Sequence, residues 1–137
     1  MPFLVKADLA LTILTEELNE ITRSDDTLVT AALATAIGEM RTYLHDSYDV
    51  DVIFAAVGTA RHPLLLQFGA DLAVYYLVGR SQAGQQIDDR KARYDRAITW
   101  LKAARDSETY SDLPRRAPDT AQRHISWGSR PKRTNGY

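Results

Sequence analysis

One periodic apolar run constrains the fold of this 137-residue chain more than any other feature. Large apolar side chains recur every three or four positions within residues 27–45, at Val29, Leu33, Ile37, Met40 and Leu44. Because an α-helix has about 3.6 residues per turn, this spacing places all five on one face. The run follows capping residues at 24–27, so it predicts an amphipathic helix that other helices must cover.

The next apolar stretch predicts a second helix that is buried on most sides. It begins at Pro63, which suits the first helical turn because its missing N–H would be unpaired there. A broad apolar stripe follows and ends near Gly79, with members Leu64, Leu65, Phe68, Leu72, Tyr75 and Tyr76. Asp71 interrupts this stripe. A carboxylate buried there needs a partner, most simply an Arg or Tyr from another helix.

A third long helix is predicted from about residue 87 to residue 106. Its apolar positions are seven, four and three residues apart, at Ile87, Tyr94, Ile98 and Leu101. Asp88 or Asp89 is the expected N-cap, and Asp89 is four residues from Arg93, the spacing of a helical ion pair. The charged residues between them are expected to form a solvated outer face.

Shorter signals complete the predicted helical domain. Residues 6–14 and 15–21 indicate two short helices, the second capped by Thr15. Residues 49–54 are compatible with either an extended segment or a helical turn. Ala34 and Gly38 form a small-residue patch that is expected to admit another helix closely. The sequence therefore predicts an all-α fold, a small bundle of about four to five helices over residues 1–110.

The chain changes character beyond this domain, in residues 111–137. Three of its five prolines lie there, at Pro114, Pro118 and Pro131. Regular helix is therefore not expected, yet Trp127 is an unusual residue for a tail that contacts nothing. We predict an extended basic arm that docks either on its own domain or on a neighbouring molecule.

Charge is distributed unevenly along the chain. Residues 1–60 contain ten acidic and three basic side chains, whereas residues 111–137 contain six basic and two acidic ones. The acidic segment and the basic segment are either complementary surfaces between neighbouring copies or merely solvated surfaces. The predicted partner-binding residues of the arm are Arg115, Arg116, Arg123, Trp127, Arg130, Lys132, Arg133 and Tyr137. An alternative reading of the same residues is a small nucleic-acid-binding module, with basic groups on phosphates and an aromatic for stacking.

No motif in the sequence predicts catalysis, a cofactor or a metal ion. The chain has no cysteine and neither of the common glycine-rich phosphate-binding patterns. Its three histidines are far apart, and no serine sits in the GxSxG pattern of a hydrolase. The N-terminus lacks a signal-peptide pattern, and no apolar run is long enough to span a bilayer. We therefore expect a protein that is not an enzyme, is made in the cytoplasm and has no membrane role.

Several segments, taken in order, resemble a family of small proteins encoded by Mu-like phages and prophages among their head and tail morphogenesis genes. The segments are MRTYL at 40–44 followed by Tyr48, HPLL at 62–65, ADLAVYYL at 70–77 and RYDRAITWL at 93–101. The resemblance covers about residues 6–106. In addition, SWGSRPKR at 126–133 is similar to the tail of relatives from Bacteroides-type phages.

The resemblance implies a structural role in the virion neck. The expected protein is a helical head-tail connector, also called an adaptor or head-completion protein, that forms a twelvefold ring on the portal protein. A tail-side connector or tail terminator is the expected second partner, with incidental contact to DNA in the channel. Such a protein is made in the host bacterial cytoplasm. The family has no established catalytic residues, so the resemblance assigns none here.

Overall fold

The computed structural model describes residues 2–81, 87–109 and 111–117. In chain order they form a first 3₁₀ helix (Lys6–Leu11), α1 (Thr15–Thr22), α2 (Asp26–Leu44), α3 (Val50–Ala55), a second 3₁₀ helix (Gly58–Ala60), α4 (Pro63–Ser81) and α5 (Ile87–Arg105). This described part contains no β-strand, although Tyr48 and Arg115 form an isolated antiparallel bridge. The predicted all-α bundle is confirmed.

Helix α4 occupies the centre of the bundle, as its apolar stripe predicts. It packs against α2 and α5, and also against α1 and the first 3₁₀ helix. Six of its residues have no exposed surface, namely Leu65, Ala70, Leu72, Ala73, Val74 and Val78. A helix with apolar neighbours on most sides cannot have a single polar face, which explains why almost every turn of α4 is apolar.

Helix α2 begins at Asp26, one residue before the predicted start. The side chain of Asp25 caps it by accepting a hydrogen bond of 2.9 Å from the Thr27 N–H. The predicted role of Gly38 is wrong within this chain, because a Cβ built there would have no atom within 4 Å. The close approach occurs at Gly69 of α4 instead, where a Cβ would lie 2.7 Å from a Leu4 methyl carbon.

Helix α5 begins at Ile87, so Asp88 and Asp89 lie in its first turn rather than at the N-cap. The predicted Asp89–Arg93 pair is also wrong. Arg93 instead donates to the Thr12 hydroxyl at 2.7 Å, because the end of the first 3₁₀ helix leaves polar groups that need donors. The i,i+4 ion pair of the described outer face joins Lys91 to Asp95, 2.8 Å apart.

The short segments are also helical. The segment 49–54, left open between two structures, is helical: Val50–Ala55 forms α3, and its N-cap Asp49 accepts from the Val52 N–H at 3.3 Å. Thr15 is the first residue of α1 and not its cap, since Leu14 occupies the N-cap position. No helix of the described ranges is long and apolar enough to cross a membrane.

Candidate partner-binding region

The beginning of the predicted arm is attached to the bundle. Residues 111–117, called here the arm root, run along the turn between α2 and α3. The Asp49 N–H donates to the Pro114 carbonyl at 2.9 Å, and the Arg116 N–H donates to the Ser47 carbonyl at 3.1 Å. Leu113 is buried with 5% of its surface exposed. Backbone pairing and an apolar anchor thus fix where the arm leaves the domain.

The side chains of the first two predicted partner-binding residues contact the chain's own domain. The guanidinium carbon of Arg115 lies 4.6 Å from the centroid of the Tyr48 ring, within the range of a cation–π contact. Arg116 donates to the His45 carbonyl at 3.4 Å. Both side chains remain exposed on their outer sides. They hold the arm root to the bundle and still present positive charge to solvent.

The remaining predicted partner-binding residues lie outside the described residues. They are Arg123, Trp127, Arg130, Lys132, Arg133 and Tyr137. Their assignment, like the division of the chain at residue 110, stays a prediction.

Tyr48 is the residue on which the arm root depends, and the sequence analysis did not single it out as functional. It is 1% exposed, and its hydroxyl donates to the Ala104 carbonyl at 3.0 Å. The Ser47 hydroxyl similarly donates to the Arg105 carbonyl at 3.1 Å. These two bonds satisfy carbonyls at the end of α5, which have no partner within their own helix. Tyr48 therefore joins α5, the α2–α3 turn and the arm root.

A second surface feature lies at the other end of α2. The N-terminal segment and α2 enclose an open groove of about 340 Å³. Its walls are mostly apolar and include Leu4, Val5, Val29, Leu33 and Ile37. Sequence periodicity assigns the α2 residues to a covered face, but it cannot reveal a groove that forms only when the N-terminal segment folds beside that face.

The buried carboxylate of Asp71 has the partner that the sequence predicted. Arg96 of α5 places Nη2 3.6 Å from Asp71 Oδ2, and Gln67 Nε2 donates to Oδ1 at 3.3 Å. The Asp71 side chain has no exposed surface, whereas Arg96 is 63% exposed. The ion pair therefore joins α4 to α5, with the Asp71 carboxylate buried and the Arg96 guanidinium partly in water. This is the geometry of a structural ion pair.

Two tyrosines, Tyr76 and Tyr94, share the carboxylate of Glu39. Tyr76 and Tyr94 both donate their hydroxyl protons to Glu39, Tyr94 at 2.8 Å. Burial and the bond to Glu39 raise the pKa of Tyr94 to about 12. The same two causes raise the pKa of Tyr76 strongly above its ordinary value. Neutral tyrosines that donate to a carboxylate hold α2, α4 and α5 together.

The two described histidines, His45 and His62, each contact one aspartate. His62 Nε2 lies 2.7 Å from Asp112 Oδ1, and this contact lowers the pKa of Asp112. Among the described residues, no three His, Cys, Asp or Glu side chains come together as metal ligands. The sequence-based expectation of no metal site stays a prediction.

The fold and these contacts define a class of protein: a small all-α domain whose polar side chains fasten its helices and its arm root to one another. The particular family follows from comparison with known proteins. A family model described as "Bacteriophage Mu, Gp36" matches residues 3–126, so the chain belongs to that phage family. No curated protein and no solved structure gives a significant match. The predicted relationship to Mu-like phage proteins is confirmed.

Proposed function

We propose that this protein is a structural subunit of the phage neck, a head-tail connector or adaptor that assembles on the portal protein. The observation that carries the proposal is membership of residues 3–126 in the phage Mu family. The matched range extends from the helical bundle past the arm root. A family sequence pattern that covers both parts is expected when the bundle and the arm act together in assembly.

The described contacts supply a mechanism for such a subunit. The bundle is braced by α4 on several sides and forms a rigid body that can serve as one wedge of a ring. The arm root is held at Tyr48, so the arm leaves every copy at the same point. A ring of identical wedges would then present identical arms at regular intervals, which suits attachment to a symmetric portal.

The proposed partners are the portal protein on the head side and a tail-side connector or tail terminator on the other. We expect twelve copies in the ring, a location in the virion neck and only incidental contact with DNA in the channel. The likeness of residues 126–133 to tails from Bacteroides-type phages belongs to the same proposal. No catalytic step is assigned to the protein.

Light scattering on the purified protein, alone and mixed with the portal protein of the same phage, tests the proposal. We expect a complex with one connector subunit per portal subunit, and electron microscopy of it should reveal a twelvefold ring. Replacing Arg130, Lys132 and Arg133 with Glu should weaken binding, whereas Lys102→Glu on the exposed side of α5 serves as a charge control. Absence of any complex with the wild-type protein would contradict the proposal.

The nucleic-acid alternative gives a different result in a mobility-shift assay. Binding through the basic arm would weaken steeply as salt rises, since each phosphate contact releases counterions. Loss of Arg130, Lys132 and Arg133 would reduce that salt dependence. Affinity for DNA without affinity for portal would favour the alternative over the connector role.

A further inference from the structure

The groove between the N-terminal segment and α2 is apolar at its floor and open to solvent. Leu4 and Val29 are each 1% exposed and Leu33 is 7% exposed, so the floor is continuous with the core. Its volume of about 340 Å³ is at the lower end of the roughly 300–1,000 Å³ typical of ligand sites. A site of this size accommodates one or two large side chains.

Beyond Asp26, the exposed α2 residues that line the groove also lack charge: they are Thr30 and Ala34. The charges that line the groove are Lys6 and Asp26, and they neutralise each other at 2.7 Å. A helix face that faces only water usually carries charged residues, so this one is suited to contact another polypeptide.

We propose that this groove binds residues 125–127 of the C-terminal arm of a neighbouring copy. The inference rests on the proposed function, since it describes how subunits of the ring hold one another. Ile125 and Trp127 are large apolar residues two positions apart in the sequence, and Trp is among the side chains that contribute most to interfaces. Arg123 and Arg130 flank the pair in the sequence.

The position of the arm root favours a neighbour's arm over the chain's own arm. The root pairs with Ser47, just beyond the C-terminal end of α2, whereas the groove lies near Val29. Sixteen helical residues separate His45 from Val29, a distance of about 24 Å. The eight residues from Ala117 to Ile125 reach about 26–29 Å when fully extended, so the chain's own arm would cover this distance only along a nearly straight path.

Helix α3 adds an obstacle to the path within one chain. Arg41 donates to Asp51 at 2.7 Å and to the Val50 carbonyl at 3.4 Å, so α3 covers the same side of α2 that continues into the groove. The arm of an adjacent copy is free of this constraint. Each copy then gives one arm and receives one, the head-to-tail contact from which rings are built.

Charge outside the groove favours the same pairing through long-range attraction. Residues 1–60, part of which form the groove, contain ten acidic and three basic side chains, and residues 118–137 contain four basic and one acidic side chain. Attraction between the two segments would speed their encounter, while burial of Ile125 and Trp127 would supply specificity. The interaction should therefore weaken with salt without disappearing.

Cysteine pairing tests the proposal cleanly, because the chain has no cysteine of its own. Ala34→Cys in one copy is mixed with a tagged Ser126→Cys copy and treated with a short bismaleimide, both alone and on the portal protein. Thr35→Cys replaces Ala34→Cys as the matched control, since Thr35 is also exposed and does not line the groove. We expect the crosslinked heterodimer with Ala34→Cys in yields at least about tenfold above the control.

A second pair of variants separates the interface from folding. In this test the groove copy carries Thr30→Cys and is crosslinked to the tagged Ser126→Cys copy. Adding Ala34→Arg to the groove copy should reduce the yield of this crosslink about tenfold and lower the oligomer mass, whereas adding Thr35→Arg should change neither. Both positions are exposed, so circular dichroism should be unchanged. The proposal is overturned if a single chain carrying both Ala34→Cys and Ser126→Cys forms only the crosslink within that chain. It is also overturned if the Thr35→Cys and Thr35→Arg controls behave like the corresponding Ala34 variants, or if no crosslink forms on the portal protein. A ring that still forms in those cases preserves the connector function.

Discussion

Arg115 lies over the aromatic ring of Tyr48, with its guanidinium carbon 4.6 Å from the ring centroid. Tyr48 in turn donates to the Ala104 carbonyl at the end of α5. A residue of the arm root, a residue of the α2–α3 turn and the end of α5 therefore form one connected cluster. The described beginning of the arm is attached to the helical bundle through these contacts, and this leads to the first prediction.

Leu113→Ala should lower the free energy of unfolding by about 2 kcal/mol or more, because it removes a buried side chain and leaves a cavity beneath the arm root. Arg116→Ala is the matched control, since Arg116 is exposed and makes one long side-chain hydrogen bond. Urea unfolding followed by circular dichroism measures both. Equal stability of the two variants would mean that the arm root is not part of the cooperative unit.

Arg96→Ala should destabilise the protein by about 1 kcal/mol, because it leaves the buried carboxylate of Asp71 without its cation. The value is modest because Arg96 is largely exposed and its charge is screened by water. Adding Asp71→Asn to Arg96→Ala should restore part of the loss, since the uncompensated charge is then gone. A double-mutant cycle in urea gives the coupling, and additive effects would refute the ion pair.

Two glycines on neighbouring helices should respond oppositely to added side-chain volume. Gly38→Ala should raise the free energy of unfolding by about 0.5–1 kcal/mol, because Ala favours helix and nothing obstructs its methyl group. Gly69→Val should lower it by about 1–3 kcal/mol, because its Cβ would lie 2.7 Å from Leu4 and 2.9 Å from Met40. Thermal melts compare the pair, and a stable Gly69→Val variant would contradict the tight contact.

The protein should lose stability at alkaline pH through Tyr76 and Tyr94. Their pKa values are raised in the folded state, that of Tyr94 from 10.0 to about 12, by burial and by the bond to Glu39. The unfolded chain releases these protons first, so the stabilisation is complete below pH 10.0 and is lost as pH rises through the folded pKa values.

Tyr94→Phe and Tyr76→Phe should flatten this alkaline loss. Urea unfolding at about pH 8 and about pH 11 measures the difference, with the value at the lower pH reporting any general damage from the lost hydrogen bond. Variants that lose as much stability as the wild type between these two conditions would show that other groups cause the alkaline transition.

The sequence by itself determined the three long helices and their apolar faces, but it left residues 49–54 open between two structures. The run at residues 27–45 became α2 at Asp26–Leu44, and the stripe after Pro63 became the central helix α4. It also predicted that Asp71 needs a partner from another helix, either an Arg or a Tyr, and the structure supplies Arg96. Helical periodicity is a local property of the sequence, so it can be read without knowing the fold. The cost of burying an unpaired carboxylate is the same whichever residue becomes its partner.

Only the tertiary structure decided which groups became partners. Arg93 donates to Thr12, 81 positions away, and not to Asp89 on its own helix. Gly69, not Gly38, receives the close contact, because Leu4 and Met40 meet at α4. The groove likewise exists only where the N-terminal segment lies beside α2. Such contacts depend on how distant segments pack against one another, and that packing is a property of the whole chain which local periodicity does not contain.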